Sequence, residues 1–255
     1  MQLLQRFTSG LTFDNSLASY RLRLASSEED LVAAQRLRFE VFNLELHEGL
    51  SQSFENGLDS DRFDAVCTHL LVEHLPSGKV VGTYRMQTGL NALVHHGYYC
   101  SSEFDMSPYE ALRGEVLELG RACIHADHRS YTVLSQLWRG IVQFASRTGS
   151  RYLVGCSSLT SQDPAEGLQA WHTLRAHAAP EHLQTIPLSH CACEAHQVRH
   201  GDYRLPKLLS AYLALGAWVC GPPALDPDFK TIDFLTLMDL NSPAMGQRRR
   251  RFGIG

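Results

Sequence analysis

The sequence predicts one mixed α/β sheet flanked by helices. Three observations carry that prediction. Segments with period-two and period-3.6 apolar patterns follow one another in the order strand, helix, hairpin, strand, helix, strand, helix, strand. The alternation is not strict enough for a doubly wound sheet, and no Gly-x-Gly-x-x-Gly or P-loop follows any predicted strand, so nucleotide-binding folds lack their fingerprints. The 255 residues, 44% hydrophobic and 20% charged, have an ordinary globular composition and are enough to bury most of the surface an unfolded chain exposes.

The elements can be read in order. "YRLRLA", residues 20–25, alternates polar and apolar as a strand with one wet face does. "SSEEDLVAAQRLRFEVFNLEL" reads as a helix: Ser26 and Glu29 have capping-box spacing, and Leu31, Ala34, Leu37, Val41 and Phe42 form a stripe. "CTHLLVEH" and "KVVGTYRMQ" flank "LPSG" and predict an antiparallel hairpin. Residues 88–113 form a long insertion with a short helix expected at "SPYEALR", capped by Ser107, with Pro108 at its first position and ended at Gly114. Strands follow at "EVLELGRACI", "RYLVGCSSLT" and "TIDFLTLMDL", and helices at "YTVLSQLWRGIVQFASRTG", "DPAEGLQAWHTLRAH" and "LPKLLSAYLALGAWV". The organisation expected is an extension over 1–19, a single domain over 20–245 and a basic tail over 246–255.

A formal charge of -4 argues against a nucleic-acid surface spread over the whole molecule. The start, "MQLLQRFTSGLTFDNSLASY", has no apolar core of signal-peptide length, and the stretch "AYLALGAWVCG" falls short of the roughly 20 residues a spanning helix needs. The expectation is a cytoplasmic protein, free or peripheral to the inner face of the membrane. Seven scattered cysteines are expected to be reduced and structural. "SHCACEAHQVRH", residues 189–200, concentrates metal-ligand types but matches no standard spacing, so a histidine-rich loop without metal is expected.

One strand is anomalous. "EVLELGRACI" carries Glu118 and Arg121 where an unpaired charge would cost several kcal/mol. Each must pair or face a cleft, and Gly120 offers a bulge that would turn both toward one side. Other polar exceptions sit nearby in sequence: Arg38 in the first helix, Asp61 and Asp64 in "DSDRFD", and Arg85 in "VGTYRM".

The order of "LRFEVF", "DSDRFDAVCTHLLV", "GKVVGTYRM" and "LELGRACI" resembles the acyl-homoserine-lactone synthases and, more closely, the ornithine N-acyltransferases of lyso-ornithine lipid synthesis. Both are branches of the GNAT superfamily. The likeness runs through "LPKLLSAYLALGAWVCGPPALDPDFKTIDFLTLMDL" and covers roughly residues 20–252. It implies a GNAT-like, mostly antiparallel central sheet and an acyl-transfer cluster at Arg38, Phe42, Asp61, Asp64, Arg85, Glu118 and Arg121. It also implies acyl carrier protein as partner, with a (3-hydroxy)fatty acyl thioester on its phosphopantetheine as co-substrate, an amino-acid acceptor and no further cofactor. The chain departs from acetyl-CoA-dependent relatives at "HADHRSYTV", which lacks the glycines of a pyrophosphate loop. Arg129 or Ser130 could still reach a single phosphate.

The residue types suggest their own chemistry. An α-ammonium must lose a proton before it attacks a thioester, and Glu118 is the candidate base. Backbone N–H groups around Gly120 and Arg121 could hold the oxyanion. Arg85 and Arg121 could bind a substrate carboxylate or lock Asp61, Asp64 and Glu118 in place; the sequence leaves both open. Alternatives to ornithine are glycine, lysine, glutamine or an aromatic amino acid, and outside catalysis a membrane-active, haemolysin-like protein. The block Arg248–Arg251 is expected to dock on an anionic membrane or on acyl carrier protein.

Overall fold

A computed structural model describes residues 19–195, 199, 201–243 and 245. The strands are β1 (Tyr20–Leu24), β2 (Thr68–His74), β3 (Lys79–Thr88), β4 (Val116–Ile124), β5 (Tyr152–Leu159), β6 (Trp218–Val219), β7 (Ala224–Asp226) and β8 (Thr231–Asp239), and hydrogen-bonded neighbours follow the path β1-β2-β3-β4-β5-β8-β6, with β7 pairing β8 off that path. The pairings β1–β2, β2–β3, β5–β8, β6–β8 and β7–β8 are antiparallel and β4 with β5 is parallel, so the expectation of a mixed, mostly antiparallel sheet with helices is borne out. The chain divides into two compact units, one running through Met86 and including Gly120–Arg147, the other comprising Gln87–Leu119 and residues from Thr148 on.

In the first unit, β1 (Tyr20–Leu24) pairs with β2 (Thr68–His74), which forms the predicted hairpin with β3 (Lys79–Thr88). Gly78, at φ +66, takes the left-handed turn position that L side chains avoid. Helix α1 (Glu28–Arg38) starts one residue later than expected. Ser27, not Ser26, is the cap and accepts from the Asp30 N–H, while Ser26 donates to the Asp30 carboxylate, itself held by Arg23. The stripe beyond Arg38 continues as a π-helical turn, Phe39–Glu45, rather than as α-helix. Helix α3 (Tyr131–Thr148) lies close on β2: a Cβ on Gly140 would come within 2.7 Å of the Leu70 methyls, so any larger residue there would make Leu70 shift. Trp138 and Phe144 of this helix are buried.

In the second unit, β5 (Tyr152–Leu159) lies between the start of β4 (Val116–Ile124) and β8 (Thr231–Asp239). The two-residue β6 (Trp218–Val219) and three-residue β7 (Ala224–Asp226), too short to show a period, pair with β8. The insertion is more structured than its sequence suggested, holding α2 (Gly89–Val94) and 3-10 turns at Tyr99–Ser102 and Ser107–Glu115. Ser107 does not cap; its N–H and hydroxyl both bond Asp105. Ala92, Tyr98, Cys100, Phe104, Met106 and Tyr109 pack the insertion onto Val154, Leu235 and Leu237 of β5 and β8. A second apolar cluster joins α4 (Pro164–Leu174), with Asp163 as its cap, and α5 (Lys207–Ala214) to Ile232 and Phe234.

Residues 1–18 of the expected extension, and the tail with Arg248–Arg251, lie outside the described residues. Among the described residues no helix is long and apolar enough to cross a membrane.

Candidate active site

Five of the predicted site residues meet in the first unit, in a buried network of three arginines and three aspartates. Helix α1 supplies Arg38, the loop before β2 supplies Asp59, Asp61 and Asp64, β3 supplies Arg85 and β4 supplies Arg121. Arg38, 0% exposed, grips Asp64 with two parallel bonds of 3.1 and 2.6 Å, donates to the Asp59 carbonyl and lies 3.1 Å from the Asp59 carboxylate. Arg85 donates to Asp61 at 2.6 Å and to Asp64 at 3.0 Å. Arg121 donates to Asp59 at 3.2 Å and to Asp61 at 3.0 Å.

The electrostatics follow from this closure. Burial alone would raise the Asp64 pKa, but Arg38 and Arg85 reverse that and hold the group well below the usual carboxylate range. Asp61 is lowered in the same way, with Arg85 and Arg121 outweighing its burial. His69 reaches the network through an Nε2–H donated to the Asp64 carbonyl at 3.0 Å, and burial pushes its pKa down to about 4, so it stands neutral. Among the described residues its Nδ1 has no hydrogen-bond partner, which suits a neutral ring more than a charged one.

The strand irregularity expected at Gly120 falls on the next residue. Arg121 adopts φ +50, a left-handed backbone that costs a non-glycine residue roughly 1–2 kcal/mol and breaks the strict alternation of β4. Its bonds to two separate carboxylates, Asp59 and Asp61, are what offset that strain.

Glu118 belongs to the second unit and has its own partners. Its carboxylate, 5% exposed, accepts the backbone N–H groups of Tyr99 and Cys100, both at 2.9 Å, and the Gln87 amide at 3.3 Å. Gln87 also donates to the Gly97 carbonyl at 2.8 Å, so Glu118 and Gln87 together fix the start of the Tyr99–Ser102 turn. Beside it the Tyr98 hydroxyl is raised to about 12 by burial.

The remaining predicted residues are placed singly. Phe42 packs with Val80 against Leu37, Val41 and Cys123. Cys123 is buried and its thiol is pushed up by desolvation, as a small hydrophobe rather than a nucleophile. Arg129 makes a two-pronged pair with Glu45 at 2.5 and 2.7 Å on the surface, and Ser130 accepts from the Val133 N–H at the start of α3. All seven cysteines are free thiols. Cys191 and Cys193 pack into different apolar clusters, and His196 and His200 lie outside the described residues.

Sequence reasoning passed over Asp59, Gln35 and Gln87. Asp59, 0% exposed, opens the same "DSDRFD" motif as Asp61 and Asp64. Gln35, donating to Asp64 at 2.9 Å, precedes Arg38 by one helical turn, and Gln87 follows Arg85 by two positions on the same strand. Period could have found Gln35 and Gln87, whereas Asp59 sits in a loop that has none.

The fold and buried cluster define the class, an acyltransferase of the GNAT type: residues 37–139 match the model described as "Acetyltransferase (GNAT) domain". Similar solved structures include the CoA-dependent acyl-homoserine lactone synthase BjaI (TM-score 0.56, 16% identity, 92% of this chain and 90% of that one) and FeeM, an N-acyl amino acid synthase from uncultured soil microbes (TM-score 0.53, 13% identity, 89% and 93%). Sequence relatives narrow this further. The chain is 34% identical to the L-ornithine N(alpha)-acyltransferase of Rhodobacter capsulatus over 92% of its length and 94% of the relative's, and 30% identical to that of Agrobacterium fabrum over 89% and 83%. It belongs to the L-ornithine N(alpha)-acyltransferase family.

Proposed function

We propose that residues 20–245 act as one catalytic domain that moves a (3-hydroxy)fatty acyl group from acyl carrier protein to the α-amine of ornithine. The observation that carries the acceptor is the 34% identity, along 92% of the chain, to a relative named for that activity. The donor rests on the loop before α3. It offers no glycine cradle for a pyrophosphate, while Ser130 and the exposed Arg129 can meet one phosphate if Arg129 leaves Glu45.

In this reading the α-ammonium first gives a proton to Glu118. The free amine attacks the thioester carbonyl, a C–N bond forms and an oxyanion develops, held by backbone N–H groups near Gly120 and Arg121. The C–S bond then breaks, and the departing sulfur takes the surplus proton of the new amide nitrogen. Arg85 and Arg121 are candidate hosts for the substrate carboxylate, with Arg38, Asp61 and Asp64 holding them in position and Phe42 in support. The basic tail docks the enzyme on the inner membrane face, where each arginine contributes about 1 kcal/mol.

The test is mass spectrometry of lipids from cells expressing the protein, paired with a purified assay offering long-chain acyl carrier protein and the matching acyl-CoA. Acyl-ornithine as the new lipid and a preference of at least tenfold for the carrier protein are expected. A different acyl amino acid would replace the acceptor, equal use of both donors would overturn the argument from the loop, and no new lipid would leave the membrane-active alternative.

A further inference from the structure

Asp233 interrupts the apolar run of β8, opposite Ser158 on β5 and Ala224 on β7. The same sheet face carries Val154, Leu235 and Leu237, on which the insertion packs. Along β5 this face opens step by step: Val154 is buried, Cys156 half-buried and Ser158 exposed. Asp233, 5% exposed, thus sits where an apolar floor meets a solvent-facing rim.

Its surroundings are acidic. A carboxylate oxygen of Glu103, the Cys156 thiol and a carboxylate oxygen of Asp233 lie within 4.8 Å of one another. Among the described residues the Asp233 Oδ1 has no hydrogen-bond partner. Around the group stand the Glu103 and Asp226 carboxyls, the Cys156 and Cys191 thiols and the Ser158 and Thr231 hydroxyls. Burial first, then the charge of Asp226, push the Asp233 pKa up to about 6, while the neighbouring Ser158, Thr231 and Glu103 side chains act in the other direction. A buried carboxylate with acid neighbours and an open lone pair is prepared to receive a cation. A metal ion is the poorer fit, because the Cys156 thiol is held well above its ordinary pKa, first by its hydrogen bond with Cys100 and then by burial, and a metal needs the thiolate.

The location suits the substrate. Glu118 takes the N–H groups of Tyr99 and Cys100, and the Cys100 sulfur lies 3.6 Å from that of Cys156, itself 4.0 Å from a Glu103 oxygen. Glu118 and the Asp233 site thus both border the segment 99–103, an arrangement open to a molecule with two amines. We propose that Asp233, with Glu103, binds the side-chain ammonium of the acceptor and so selects diamino acids over neutral ones. This rests on the N-acyltransferase reading above.

The test compares ornithine with norvaline, which has the same carbon chain and no second amine, using purified full-length enzyme and long-chain acyl carrier protein. Wild type should favour ornithine at least a hundredfold in kcat/KM. Asp233→Asn should raise the ornithine KM ten- to a hundredfold with little change in kcat, and leave norvaline untouched. Glu103→Gln should do the same more weakly. In the wild type, the ornithine KM should rise as pH falls through about 6 while that of norvaline stays flat, a readout that needs no variant. Acylation of ornithine and norvaline with equal efficiency, equal losses on both in Asp233→Asn, or one divalent metal per chain lost in that variant would each overturn the assignment. No acylation of either amino acid, with another acceptor used instead, would overturn the acceptor reading first and this one with it.

Discussion

Charge is arranged in opposite ways in the two units. In the first, Arg38, Arg85 and Arg121 meet Asp59, Asp61 and Asp64, three against three, and the hydrogen-bonding arms are turned inward on one another. At two buried sites of the second, Glu118 accepts from backbone N–H donors and from the Gln87 amide, and Asp233 has the charge of Asp226 and the Glu103 carboxyl as neighbours. A balanced network stabilises its own geometry, whereas an acidic site with neutral or like-charged neighbours favours an incoming cation. The amines of the proposed acceptor supply such a cation. In the proposed function the first unit contributes the charge-balanced network that includes Arg85 and Arg121, and the second contributes the acidic groups for the acceptor's amines.

The sharpest attack on this contrast is Glu118→Gln. If Glu118 is the base, turnover should fall by roughly two to four orders of magnitude. The substitution also sets an amide NH2 among backbone N–H donors, so a stability loss of about 1–3 kcal/mol should accompany it. Single-turnover rates on the folded fraction separate the two effects. Near-normal turnover in folded enzyme would make Glu118 purely an anchor for the Tyr99–Ser102 turn and shift the proton transfer elsewhere.

Next in size is Arg38→Met, which keeps most of the volume and removes the charge. Asp64 and Asp59 would stay buried with too little compensation, and urea denaturation should show a loss of about 3–5 kcal/mol. Adding Asp64→Asn to that background should recover part of the loss, the non-additivity that contacting charges produce. A single variant within about 0.5 kcal/mol of wild type would mean that the network does not stabilise its own geometry.

How much of this was legible in the sequence differs by unit for the same physical reason. The charges of the first unit stood out because arginine and aspartate inside apolar elements violate the burial rule, and four named motifs led to five of its six members. Asp59 was overlooked although its motif was quoted, because three aspartates spaced over six residues read equally well as a solvated loop. Asp233 carries the same signal as Glu118, a carboxylate in an apolar strand, yet "TIDFLTLMDL" offered no arginine to draw attention to it. The main elements were legible from their periods. The π-helical turn after Arg38, the left-handed Arg121 and the short strands β6 and β7 were not, since each is set by tertiary packing or is shorter than a period.

The smallest expected effect is also the one that tests the first unit without touching its charges. His69 is neutral when folded, with its pKa depressed from 6.5 to about 4 mainly by burial. In the unfolded chain it titrates near 6.5, so between about 6.5 and 4 the unfolded state binds a proton that the native state refuses. Stability from this group is therefore fully present above about 6.5 and is lost as pH falls toward 4, by about 3 kcal/mol at the limit. Asp61 and Asp64 act in the same direction, but their contribution is lost only below the ordinary carboxylate range, so the two windows are separable. His69→Gln can still donate to the Asp64 carbonyl and does not titrate. Its urea midpoint should vary less between pH 6.5 and 4 than that of wild type, while both proteins should fail together at lower pH as the aspartates protonate. Parallel pH profiles for the two proteins over the upper window would show that His69 is protonated or solvated in the native state, and the closed character assigned to the first unit would fall with it.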